Sequence, residues 1–92
     1  MTLKVLNTFS FDNLYFAEYE CDEVGDNIPL HDHPFSHLTK CTHGEIEVFT
    51  QDGRTLILKV GDKPAEYRPG TRHGIRGLTV GARFINISPQ RH

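Results

Sequence analysis

The sequence has little of what marks several common protein classes. Two cysteines, Cys21 and Cys41, stand in 92 residues. Two are too few for a disulfide framework, and their spacing is not that of a zinc ribbon. The expectation is a pair of reduced, mostly buried thiols, with Cys41 facing a functional cavity as the alternative. The formal net charge is only -2, and no basic stripe with interleaved aromatics occurs, so nucleic acid is not an expected partner. No apolar run approaches membrane-spanning length, so a membrane is not expected either. The opening MTLKVLNTFSFDN lacks the long apolar core and small-residue cleavage site of a signal peptide, which gives the expectation of a soluble, cytoplasmic protein. Also lacking are a sustained helical period, a linker, a repeat, a low-complexity segment and a block of like charge. One domain over residues 1–92 is expected. A chain this short buries only about 60–65% of the surface its unfolded form exposes. A bound metal or a partner subunit would therefore add useful stability.

What the sequence does have is short alternating runs separated by Gly, Pro, Asp and Asn. They predict strands at 3–9, 14–21, 28–33, 37–43, 45–50, 55–60, 66–68, 72–76 and 80–87. Many short strands with regular turn signals indicate an all-β sandwich or barrel. Gln51-Asp52-Gly53-Arg54 places Asp-Gly between two apolar runs and predicts a hairpin. Gly61-Asp62 and Pro69-Gly70 mark two further turns.

Four histidines carry the chemistry. His31, His33 and His37 read H-x-H-x3-H within GDNIPLHDHPFSHLTKCTHG, and His73 follows in RPGTRHG. Residues two apart on a strand share a face, so His31 and His33 are expected to project together. His37 has the same parity, beyond a bend at Pro34. Four imidazoles converging on one cavity suit a first-row divalent transition metal: Fe, Mn, Ni, Zn or Cu. Without an ion, each buried ring would need its nitrogens satisfied, and protonation would set like charges against one another. His43, before Gly44, and the terminal His92 are expected to face solvent.

At this point the chain resembles the cupin superfamily. That family carries the motifs G-x5-H-x-H-x3,4-E-x6-G and G-x5-P-x-G-x2-H-x3-N. Gly25, His31, His33 and Gly44 keep the first spacing, with His37 where Glu is usual. Gly61, Gly70 and His73 follow the second with one extra residue, with Arg68 in place of Pro and Gly77 in place of Asn. The motifs span about 25–44 and 61–77. The resemblance implies a double-stranded antiparallel β-barrel of jelly-roll type with one metal inside. It implies His31, His33, His37 and His73 as ligands, and a homodimer. It does not fix the reaction. Exchanging Glu for His removes a negative charge from the site, which leaves the ion a stronger Lewis acid with positions open for water, substrate or dioxygen.

Other polar residues on apolar-looking strands are candidates to line the cavity. Thr39 and Cys41 share parity with His37. Tyr67, Arg83 and Asn86 are candidates to orient a substrate, and these three with Cys41 form the candidate catalytic set. Each has a plainer reading, with Tyr67 capping the barrel and Arg83 facing outward. Asp32 and Glu45 lie near the first motif, but parity turns Asp32 away from its flanking histidines. Phe11, Phe16, Phe35, Phe49 and Phe84 are expected to pack. The favoured function is a metal-dependent, dioxygenase-like enzyme acting on a small polar molecule. A redox-neutral Lewis-acid isomerase, decarboxylase or lyase is the variant that needs no oxygen. A non-catalytic module that binds a small molecule or metal is the second class, and histidines with a purely structural role are the third.

Overall fold

A computed structural model describes residues 3–89. The terminal His92 lies outside the described residues. Those residues form nine strands and no helix, at Lys4–Phe11 (β1), Leu14–Cys21 (β2), Asn27–His31 (β3), His37–His43 (β4), Glu45–Thr50 (β5), Thr55–Lys59 (β6), Ala65–Tyr67 (β7), His73–Gly77 (β8) and Ala82–Pro89 (β9). They make two antiparallel sheets. One has the order β1-β2-β9-β4-β7 and the other β3-β8-β5-β6.

The alternation in the sequence becomes the sandwich interior. On β4 the residues His37, Thr39 and Cys41 are buried, while those between them are half-buried. On β5 Ile46 and Val48 are buried. Strand β9 adds Ala82 and Phe84, and β8 adds Ile75. These close on Leu58, Ala65, Tyr67 and both cysteines in one core. Successive strand residues point to opposite faces, so one period-two pattern per strand is enough to build this layer. Phe84 is fully buried, but Phe11 is 71% exposed and departs from the packing role expected of it. Strand β1, at the edge of its sheet, is exposed along its whole length.

Two turns show how local chemistry sets register. Asp12 and Asn13 both have positive φ, at 53° and 64°, and they join Phe11 to its partner Leu14. This is the two-residue turn that matches strand twist, and Asp and Asn tolerate its left-handed backbone. The Asp-Gly hairpin also forms, with Gly53 at φ 90° and Thr50 N–H donating to Arg54 O at 2.9 Å.

Gly74 sits where no side chain fits. A Cβ there would lie 2.4 Å from Phe49 Cζ and 2.8 Å from the backbone oxygen of Ile28. The ring can turn, but the backbone carbonyl belongs to the neighbouring strand β3. Gly74→Ala is therefore expected to destabilise the protein by about 1–3 kcal/mol, as overpacking does. A thermal melt checks it, and a fall of less than about 4 °C, the low end for 1 kcal/mol at this size, would contradict the steric reading.

Candidate metal centre

Three strands from both sheets build the histidine cluster. Strands β3 and β8 pair with Ile28 opposite Ile75, and then, after an irregularity, with His31 opposite His73. Pro29 lies inside that irregularity, and a proline has no N–H to give a ladder. Bulges of this kind re-aim side chains. The Pro29 carbonyl then accepts a hydrogen bond from His31 Nδ1 at 2.9 Å. His73 is anchored in the same way, its Nδ1 donating to Thr71 O at 3.0 Å. His37 comes from the facing sheet, at the start of β4, opposite Tyr67 of β7.

The nitrogens of His31, His37 and His73 lie within 4.8 Å of one another. His37 Nε2 and His73 Nε2 are 3.0 Å apart. With metal–nitrogen bonds of about 2.0–2.1 Å, ligands at right angles sit about 3.0 Å apart, so this spacing is that of neighbouring ligands on one ion. Two of the three rings already have their outer N–H tied to a backbone carbonyl. That arrangement fixes the tautomer and leaves the inner nitrogen with a free lone pair, as metal-ligating histidines require. The third ring is held less well: His37 Nδ1 makes no hydrogen bond of good geometry, although the Phe35 backbone two residues back favours a proton on this ring. The residues present fit a divalent transition metal, and the chain offers three nearby histidines to hold one.

Burial pushes the His37 imidazole down to about 4, with the adjacent His73 adding to the effect. Burial also lowers His73 and His33. The unfolded chain binds protons at these rings below about pH 6.5, whereas the folded protein takes them up at lower pH, and at His37 only near pH 4. The stability they contribute is thus complete above pH 6.5 and is lost as pH falls toward 4. Metal-free protein is expected to melt at steadily lower temperature across that window. A flat melting temperature from pH 7 to 4.5 would contradict neutral, buried rings.

His33 stands beside the cluster, and its nitrogens are not part of the three-donor group. Strand β3 ends at His31, two residues short of the expected bound, so strand parity no longer governs His33. Its ring stacks on Phe35 at 5.0 Å and lies 4.9 Å from the His31 ring and 4.8 Å from the His37 ring. Its carbonyl accepts from Gly70 N–H at 2.8 Å, tying the loop after β3 to the turn before β8. His43 is exposed, as expected.

The remaining candidates divide. Tyr67 comes to the cluster, buried, with its ring 3.8 Å from that of His73 and nearly parallel to it. Its hydroxyl donates to Thr39 Oγ1 at 2.9 Å instead of meeting water. Thr39 in turn donates to Asn86 Oδ1 at 2.6 Å, so Asn86 joins the same network. Arg83 does not come to the site. Its Nε pairs with Glu20 on β2 at 3.0 Å, the outward role that the apolar residues around it at both parities had left open. Cys41 also stays away. It is a free, buried thiol near the other end of β4, with Sγ 3.4 Å from Gly44 O, and burial raises its pKa. Cys21 is likewise a free core thiol, pushed up to about 11 by burial and then by Asp26. Both behave as packing residues.

A pocket of about 500 Å³ has His37 and Tyr67 in its wall, among Leu14, Leu38, Arg68 and Ile87, and neither His31 nor His73 lines it. Sequence reasoning missed Arg68 as a lining residue and noted it only as a departure from a motif.

No protein-family model matches the sequence, and no curated protein matches it at a significant level. Solved structures do match. A protein with a double-stranded β-helix domain from Klebsiella pneumoniae is 22% identical, covering 97% of this chain and 73% of its own, with a TM-score of 0.76. An RmlC-like cupin from Desulfovibrio desulfuricans is 15% identical over 97% of this chain and 81% of its own, with a TM-score of 0.76. This chain has the cupin fold. A cupin superfamily protein from Desulfitobacterium hafniense is 13% identical, covers 98% of this chain and 79% of its own, and has a TM-score of 0.79. Within this cupin fold, the first motif runs from Gly25, before β3, to Gly44, between β4 and β5. The second runs from Gly61, after β6, through Gly70, after β7, to His73 and Gly77 on β8, the strand beside β3.

Proposed function

We propose that this protein holds one divalent transition metal at His31, His37 and His73 and acts as an enzyme on a small polar molecule, with dioxygenase-like chemistry favoured. The carrying observation is the convergence of three imidazole nitrogens, two of them with their outer N–H already anchored on backbone carbonyls. A bound metal supplies Lewis acidity with open positions, and as iron(II) it also supplies an electron source for dioxygen. The chain supplies the rest. Neutral histidines add no negative charge, burial excludes water, and a pocket of about 500 Å³ has His37 in its wall. Its wall is mainly apolar with a few polar groups, including Ser36, Glu66 and Arg68, which is the composition of a small-molecule site.

The test is oxygen uptake by protein loaded anaerobically with iron(II) and offered diketones, catechols, flavonols and thiols. Uptake with a converted product supports the reading. A metal-dependent thermal shift with a metabolite that stays unchanged favours the second reading, a binding module. That reading draws on one observation: burial pushes Tyr67 up to about 12, so the pocket is short of acid–base groups working near neutral pH.

A second copy of this chain is proposed to cover β1. This edge strand is uncovered on both faces and exposes Val5, Phe9 and Phe11, an aggregation hazard unless something covers it. A monomeric mass by light scattering would contradict this, and Phe11→Asp is expected to shift a dimer toward monomer. The two free, buried thiols accord with a reducing, cytoplasmic setting.

A further inference from the structure

Tyr67 touches both histidines that face each other across the sandwich. Its ring stacks on His73 with centroids 3.8 Å apart and planes 6° from parallel. The His37 ring lies 4.6 Å from it on a tilt of 39°. Tyr67 belongs to the sheet that carries His37, whereas His73 belongs to the other. The stack is therefore a contact by which one sheet grips a histidine of the facing sheet.

The far end of Tyr67 is held as firmly. Its hydroxyl donates to Thr39 Oγ1, and Thr39 Oγ1 donates to Asn86 Oδ1. The direction is forced, because Asn86 Oδ1 can only accept. Thr39 must give its one proton there, and its oxygen then accepts the proton of Tyr67. Register explains why the three meet. His37 pairs with Tyr67 across β4 and β7, and Thr39 pairs with Asn86 across β4 and β9. Thr39 is fully buried, so leaving either of its neighbours unpartnered is costly.

We propose that Tyr67 is a positioning residue for the metal ligands. Its ring holds the planes of His73 and His37 so that their Nε2 atoms converge, and the Thr39–Asn86 chain sets the orientation of that ring. The inference rests on the metal-site reading and assigns to that site an outer support that none of the histidines provides. A residue that merely packs would contribute stability without setting imidazole orientation.

Cobalt(II) alone is the probe, titrated against a competing chelator into wild type, Tyr67→Phe and Tyr67→Leu. Tyr67→Leu, which removes the stack, is expected to lose about 10–100-fold in affinity, the range seen when outer support of ligands is removed. It is also expected to change the cobalt absorption spectrum. Tyr67→Phe keeps the ring and is expected to retain most of the affinity. Should Tyr67→Leu fail to fold, the metal-free wild type still reports: the stacked ring displaces the His73 imidazole proton resonances upfield. Folded Tyr67→Leu with wild-type affinity and spectrum, or His73 protons at unstacked positions, overturns the proposal alone. Wild type that binds no cobalt overturns the metal-site reading and the proposal with it.

Discussion

His73→Ala is expected to lower metal affinity by at least about a hundredfold, more than loss of an outer support costs. His73 is the hinge of the cluster. It is 1% exposed, its Nε2 lies 3.0 Å from that of His37, and its ring lies 4.5 Å from that of His31. Removing it takes one donor of three and the stacking partner of Tyr67. The two nitrogens left come from opposite sheets. A chelator-competition titration with zinc or cobalt checks it. His33→Ala is the internal control, because the His33 nitrogens stand outside the three-donor group. Its loss is expected to stay below about tenfold, the lower bound for disturbing outer support. Equal losses in the two variants would place His33 among the ligands after all. Unchanged affinity in His73→Ala would return the cluster to a structural role.

Phe84→Ala is expected to be the most damaging core change. Phe84 is fully buried and stacks on Tyr19 at 5.3 Å, and its strand β9 lies between β2 and β4. Truncating such a phenylalanine costs about 3–5 kcal/mol. Small domains hold about 5–15 kcal/mol in total, and at this length each kcal/mol moves the melting temperature by about 4–8 °C. Metal-free Phe84→Ala is therefore expected to melt more than about 12 °C below wild type. The metal links this to function. At a free concentration near 100 times its dissociation constant, a ligand of the folded state restores about 2.7 kcal/mol. Zinc is thus expected to recover much of the loss in Phe84→Ala and little of it in Phe84→Ala/His73→Ala. A loss below about 1 kcal/mol would show that the cavity collapses freely and that the core is looser than drawn.

Much of this was legible in the residue pattern. The bounds expected for β2, β4 and β5 are those observed, and on β4 and β5 the alternation in the sequence is the alternation in burial. The strand β3 was expected to run to His33, but it stops at His31, where the loop tied to Gly70 takes over. That difference leaves His33 at the flank of the three-donor group, where strand parity does not place it. The sheet order was not legible. Placing β9 between β2 and β4 depends on contacts between residues far apart in sequence, which period-two patterning does not encode. Tyr67 and Asn86 stood out as polar residues on apolar strands, and Arg83 stood out on the same ground. What separates them is partner choice through space: Tyr67 and Asn86 meet at Thr39, and Arg83 meets Glu20. The Asp12-Asn13 turn was missed although its residues carry the signal, since both tolerate the positive φ it needs.

The measurement closest to the central claim is the metal content of untagged wild-type protein, purified without a nickel column and analysed by elemental mass spectrometry before and after reconstitution. The three-histidine centre predicts about one divalent metal per chain, released as pH falls and the imidazoles protonate. No metal before or after reconstitution with iron(II), manganese, nickel, copper or zinc would contradict it, leaving a cupin fold whose buried histidines serve some other purpose.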